Sequence, residues 1–171
     1  MNDDNERLES KFYALYGKIL CYWFPPEDGY GITPQWTIPN STICDDFKIS
    51  FVVEHDQGPL LLVEIKAPWE FRLDSSRQAA VVQISQRFDE IGPSNQHADK
   101  LYAISAFGKK WRASYVVKGE GSEDARPMRG VTKSSSFNSF NENCWNPDIT
   151  SEASWQALSH IVEEIKGNVN P

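Results

Sequence analysis

Hydrophobic residues along this 171-residue chain recur with two different periods. Between residues 5 and 22, Leu8, Phe12, Leu15, Ile19 and Tyr22 repeat at spacings of three and four, which predicts an amphipathic helix with one apolar stripe. Pro25 and Pro26 end it. Residues 25–41 are rich in proline and glycine and read as loop with one short strand over 32–38. Over 46–53 the period drops to two. Phe47, Ile49, Phe51 and Val53 make an apolar face, and Asp46, Lys48 and Ser50 make the other. Turn-forming residues 54–59 follow. The next run, residues 60–63, is continuously apolar, as in a strand buried on both faces. It continues through Glu64, Ile65 and Lys66 before Pro68 stops the ladder. These two strands are predicted to pair as an antiparallel hairpin.

A second helix is predicted over 75–91, with Ala80, Ile84, Phe88 and Ile91 turned inward. Gln83 and Arg87 lie four apart and share a face beside that stripe. Strands at 101–107 and 111–117 follow, joined through Gly108, Lys109 and Lys110. Residues 119–150 are polar and read as an irregular excursion with at most one short strand, a candidate lid or mobile loop. A last helix over 151–166 places Trp155, Leu158, Val162 and Ile165 on one side and stops at Gly167. The order helix, strands, helix, strands, helix, without internal repeat, predicts one mixed α/β domain over 1–171.

Composition narrows the class. The aromatic load, with six Trp, is that of a globular protein, and no apolar run approaches the roughly 20 residues of a membrane span. The acidic N-terminus lacks the basic and apolar regions of a signal peptide, so the expected location is intracellular, cytoplasmic or nuclear. Cys21, Cys44 and Cys144 are too scattered for a disulfide framework or a zinc site and read as free thiols. The formal charge of -7 argues against nucleic-acid binding by bulk charge. Its distribution matters more. Residues 1–74 carry 6 basic and 13 acidic groups, whereas 100–133 carry eight basic and three acidic. Within that stretch Lys109, Lys110 and Arg112 are candidate phosphate contacts; a solvated hairpin is the plainer reading.

The candidate chemistry lies at the end of the apolar run. Strand alternation turns Glu64 and Lys66 to one face and Ile65 to the other. If the hairpin forms, Asp46 is the acid facing them, while Asp45 shares a side with Phe47. Two carboxylates about 5 Å apart repel by roughly 3 kcal/mol at an effective dielectric of 20, which a shared proton or a cation relieves. Mg²⁺ or Mn²⁺ suits such oxygen ligands, with the Ile65 carbonyl as a further donor, and Lys66 would then stand beside the reacting groups. An ion pair at a strand end is the bland alternative. There is no P-loop, no nucleophile-elbow serine and no histidine pair at ligand spacing.

The acid on one strand followed by Glu-X-Lys on the next resembles the PD-(D/E)XK nuclease superfamily, with Asp45 where that pattern usually has proline. The segments 29–35, 45–47, 63–68, 83–90 and 104–108 are similar to a fungal group within it. The resemblance implies a restriction-endonuclease-like α/β fold with a central mixed sheet. It also implies a metal-dependent nuclease acting on DNA or RNA, with Asp46 and Glu64 on Mg²⁺ or Mn²⁺ and Lys66 assisting the attacking water. Glu9 is placed like the extra acid many members carry on the first helix. Gln83 matches the glutamine of a Q-x-x-x-Y motif, with Arg87 standing where tyrosine would. A catalytically inactive binding or regulatory module on the same fold is the rival reading. A third is an unrelated α/β interaction domain.

Overall fold

Six strands form one sheet in the order in which the chain makes them. They are β1 (Gly31–Trp36), β2 (Ile49–His55), β3 (Gly58–Lys66), β4 (Lys100–Phe107), β5 (Lys110–Val117) and β6 (Arg126–Pro127). Every neighbouring pair is antiparallel except β3 and β4, which run parallel. A parallel pair needs a crossover, and the helix α2 (Asp74–Asn95) supplies it. The other two helices are α1 (Ser10–Trp23) and α3 (Glu152–Gly167). This computed structural model describes residues 8–37, 49–56, 58–95, 98–128, 130 and 136–169, and the side chains of 92–95 fall outside that set. Among the described residues no helix is long and apolar enough to cross a membrane.

The sheet is covered on both sides, which explains its composition. Leu61, Val63 and Ile65 of β3 join Tyr16 and Leu20 of α1 and Leu158, Val162 and Ile165 of α3 in one core. Leu62 joins Ala80, Ile84, Phe88 and Ile91 of α2 in the other. All four inward residues expected on α2 are thus buried. The helix runs on through Gly92 and Pro93, past its predicted end. The stripe on α1 is rotated from expectation: Tyr16 and Leu20 are buried while Leu8 and Tyr22 are exposed. Two helices share that face of the sheet, and packing against both selects Tyr16 and Leu20. β2 is not half-buried either. Ile49 and Val52 face the α2 core, and Phe51 and Val53 face the other.

The excursion after β5 is folded rather than free where it is described. Arg77 of α2 donates to the Phe140 carbonyl at 3.0 Å and to that of Phe71. Arg112 of β5 donates to the carbonyls of Ser139 and Phe137 at 2.7 and 2.9 Å. Trp111 and Asn146 form an isolated antiparallel bridge. The expected lid is therefore strapped to the α2 face over 136–146. Among its described residues the strand is β6, and residues 129 and 131–135 lie outside the described set.

Gly108 fixes the join between β4 and β5 beside the end of β3. Its φ is +58°, its amide donates to the Lys66 carbonyl at 3.0 Å, and its carbonyl accepts from the Tyr16 hydroxyl at 2.8 Å. A Cβ there would lie 2.6 Å from Pro68 Cγ. Gly108→Ala is expected to lower stability by about 1–3 kcal/mol in urea titration; an unchanged midpoint would contradict this packing.

Candidate active site

Register puts a polar rung across an otherwise apolar sheet. Glu64 of β3 lies opposite Ser105 of β4, which lies opposite Arg112 of β5. On the other side the last β2–β3 pair is Phe51 with Val63, and the Ser50 backbone lies within hydrogen-bond reach of the Glu64 carboxyl. β1 follows suit: Pro34 pairs with Phe51 and Trp36 with Ile49, which leaves Gln35 beside Ser50. The next rung is Lys66, Phe107 and Lys110. Glu64 and Lys66 share the α2 side, as alternation predicts, while Ile65 is buried on the other.

Glu64 is 5 % exposed, and Nε of the equally buried Arg87 donates to its Oε1 at 3.0 Å. The Arg87 guanidinium also reaches Glu90 Oε2 at 3.2 Å. Burial pushes the Glu64 carboxyl above the usual range. Arg87, Lys66 and the Ser50 backbone pull it back only in part. The partner of Glu64 is thus Arg87 on α2. Lys66 is half-buried, and among the described residues no hydrogen bond or ion pair engages its ammonium.

The β2–β3 ladder opens at this level. The pairing ends at Phe51 and Val63, and the Ile65 amide donates to the Ser50 hydroxyl at 3.1 Å. Within a strand, one residue's N–H and C=O face the same neighbour, so the Ile65 carbonyl also faces this opening.

Glu9 sits immediately before α1, exposed, and accepts from the Tyr13 hydroxyl at 3.2 Å. Tyr13 in turn accepts from Gln35 Nε2 at 3.4 Å and interacts with the Ser50 side chain. Burial and the Glu9 charge raise the Tyr13 pKa. Glu9 is therefore connected to the Glu64 neighbourhood through Tyr13 and Ser50. Gln35 holds a φ of 51°, left-handed backbone that is uncommon for glutamine. Gln83 is half-buried one turn before Arg87 on α2. Asp46 lies outside the described residues, as do Asp45 and Cys44. Tyr13 and Gln35 escape sequence reasoning, since an isolated Tyr or Gln carries no spacing signal; Ser50 falls on the polar face that alternation predicts, without a role. Gln35 lies within the resembling segment 29–35 but had no role assigned.

The three basic candidates separate. Lys109 is 52 % exposed, with Nζ 3.7 Å from Asp148 Oδ2. Lys110 is half-buried, with Nζ 4.9 Å from the centre of the Phe71 ring. Arg112 faces inward instead of toward a phosphate. It is 5 % exposed, bonded to the carbonyls of Ser139 and Phe137, and lies 4.9 Å from the Trp145 ring. Arg112 and Lys110 share one face of β5, but Arg112 extends the Glu64 rung under residues 137–145, whereas Lys110 lies at the strand end.

Among the described residues no group of three His, Cys, Asp or Glu is arranged to hold a metal ion. A hollow of about 560 Å³ beside Arg77 and residues 139–143 is not lined by Glu64 or Lys66. Cys21 and Cys144 are free thiols.

Neither a protein-family model nor a curated protein sequence matches the chain. Its backbone is similar to the crystal structure of the type IIG restriction endonuclease BpuSI. The TM-score is 0.50 at 14 % sequence identity, over 95 % of this chain and 16 % of that one. The fold is restriction-endonuclease-like, and the chain spans about a sixth of that protein's length.

Two outcomes follow from the buried pair. Arg87→Met strands a carboxylate in the core and is expected to cost about 3–5 kcal/mol. Arg87→Met with Glu64→Leu should cost less than the sum of the single changes, a coupling that a double-mutant cycle in urea measures; additive costs would contradict the pair. The pH dependence has a definite sign. A carboxyl raised in the folded state contributes stability that is fully present below its unfolded pKa and is lost as pH rises through the folded value. The stability of the native chain relative to Glu64→Gln should therefore fall across that acid interval, read from melting temperature against pH.

Proposed function

We propose that the chain is a metal-dependent nuclease domain that hydrolyses phosphodiester bonds of nucleic acid at the end of β3. The observation that carries this reading is the common face of Glu64 and Lys66 beside the opened β2–β3 ladder, on a restriction-endonuclease-like fold. The donor chemistry fits a hard divalent cation, Mg²⁺ or Mn²⁺. Glu64 offers carboxylate oxygen, and the Ile65 carbonyl faces the opening. Charge requires one acid more. Arg87 and Lys66 already balance Glu64 and Glu90, so a divalent ion calls for Asp46. Asp46 lies four positions before Ser50, a tether of at most about 14 Å.

A bound ion would supply Lewis-acid polarisation of the phosphoryl group and activation of water. The protein's own part lies in its charges. Lys66, with no partner among the described residues, would stabilise negative charge developing on the phosphoryl oxygens and assist the attacking water. Arg87 holds Glu64 in one rotamer from α2, and Gln83 sits one turn away on the same face. Glu9, through Tyr13 and Ser50, adds negative charge at the other margin. Lys109 and Lys110 would meet the substrate backbone, whereas Arg112 supports the fold.

The second reading, a nuclease fold that binds without turnover, draws on the same pair. Arg87 already offsets the Glu64 charge, as a bound metal ion would. The similarity to a fungal group rests on the sequence segments and is part of the proposal, which extends to DNA or RNA alike.

Calorimetric titration with Mg²⁺ and Mn²⁺, beside cleavage assays on single- and double-stranded DNA and RNA, separates the two. The native chain should bind the ion and cleave. Glu64→Ala and Asp46→Ala should bind weakly or not at all. Lys66→Ala should bind at least as tightly while cleavage falls roughly 10²–10³-fold. Ion binding without cleavage of any substrate favours the inactive module; no ion binding at all defeats the nuclease reading.

A further inference from the structure

Of the six tryptophans, Trp69 is the most exposed, at 42 %. It lies in the short 3-10 turn Pro68–Arg72, three residues after Lys66. The turn is rigidly mounted. Phe71 beneath it is buried against Phe107 and Trp145, with ring centres 5.6 and 5.8 Å away. Pro68 packs on Gly108, so the turn rests on the β4–β5 connection that carries Lys109 and Lys110. The ammonium of Lys110 lies over Phe71, two residues from Trp69. Among the described residues Trp69 is one of five exposed large apolar side chains, and it lies three residues from Lys66 and two from Phe71, whose ring Lys110 covers.

We propose that Trp69 is a stacking platform for an unpaired base. The nucleic acid engaged at the end of β3 would then be single-stranded, or locally unpaired, where it passes Lys66. The inference rests on the nuclease-fold reading above and adds the form of nucleic acid to it. Positive charge at Lys66, Lys109 and Lys110 tracks the phosphates, and the indole takes the base. A duplex keeps its bases stacked inside and offers the indole no free face. The platform is also cheap to use, because Pro68 and Phe71 already fix its backbone.

The test measures binding apart from cleavage. Fluorescence anisotropy of a labelled 15-nucleotide oligo-dT or oligo-U, and of a duplex of equal length, is followed without metal at several salt concentrations. Native protein should bind the single strands more tightly than the duplex. Trp69→Ala should weaken single-strand binding roughly 5- to 150-fold with the salt slope unchanged, since no phosphate contact is lost. Trp69→Phe should retain most of the affinity, which separates stacking from misfolding. Lys110→Gln should instead flatten the slope. Equal losses on single strand and duplex, no effect of Trp69→Ala, or a native preference for duplex would overturn the proposal. Cleavage by the native protein on the same oligonucleotides reports separately. Cleavage with an inert Trp69 leaves the nuclease reading and removes the platform. Stacking without cleavage leaves the platform and removes catalysis.

Discussion

One carboxylate, Glu64, sits in the middle of a sheet that is apolar on both faces, and much of the surrounding architecture answers it. Leaving it unpaired there would cost several kcal/mol. Arg87 meets it from the crossover helix, and Glu90 shares its guanidinium. Ser50 meets the same rung from β2, where its hydroxyl accepts from the Ile65 amide. Arg112 ends the rung on β5 and satisfies itself on carbonyls of residues 137 and 139. That contact helps to tie the polar excursion down.

Such a rung is poor value as a stabilising device. A buried acid–arginine pair commonly contributes no more than apolar residues of similar volume would. The chain nevertheless keeps Glu64 in this position, with Lys66 two residues on, half-buried and, among the described residues, without a hydrogen bond or ion pair on its ammonium. The location agrees with the fold. Charged residues at the end of β3 emerge beside the β4–β5 turn, so one end of the sheet gathers Glu64, Lys66, Lys110 and the Pro68–Arg72 turn. The acid that would complete the set, Asp46, lies four residues before Ser50, outside the described residues.

Much of this was legible in the sequence because it rests on local period. Alternation puts Glu64 and Lys66 on one face, and the helical stripe on α2 appears at the four residues expected. What was not legible depends on which neighbour an element finds. The α1 stripe shifted to Tyr16 and Leu20 because two helices share one face of the sheet. β2 is buried on both faces because packed elements cover the sheet on both sides, a fact of tertiary layering. Arg87 read as a departure from a tyrosine motif and proves to be the counter-ion of Glu64. Arg112 counted as a surface charge in a basic stretch. Only the fold of residues 137–145 over β5 shows it to be an internal support.

The central claim is that a divalent ion belongs at the end of β3. Anomalous diffraction from crystals soaked in Mn²⁺ tests it most directly. The account predicts a single strong peak about 2.1–2.2 Å from Glu64 carboxylate oxygen, with Asp46 drawn alongside and the Ile65 carbonyl completing the protein ligands. A peak elsewhere would contradict it, and so would an empty site with Glu64 still held by Arg87 alone.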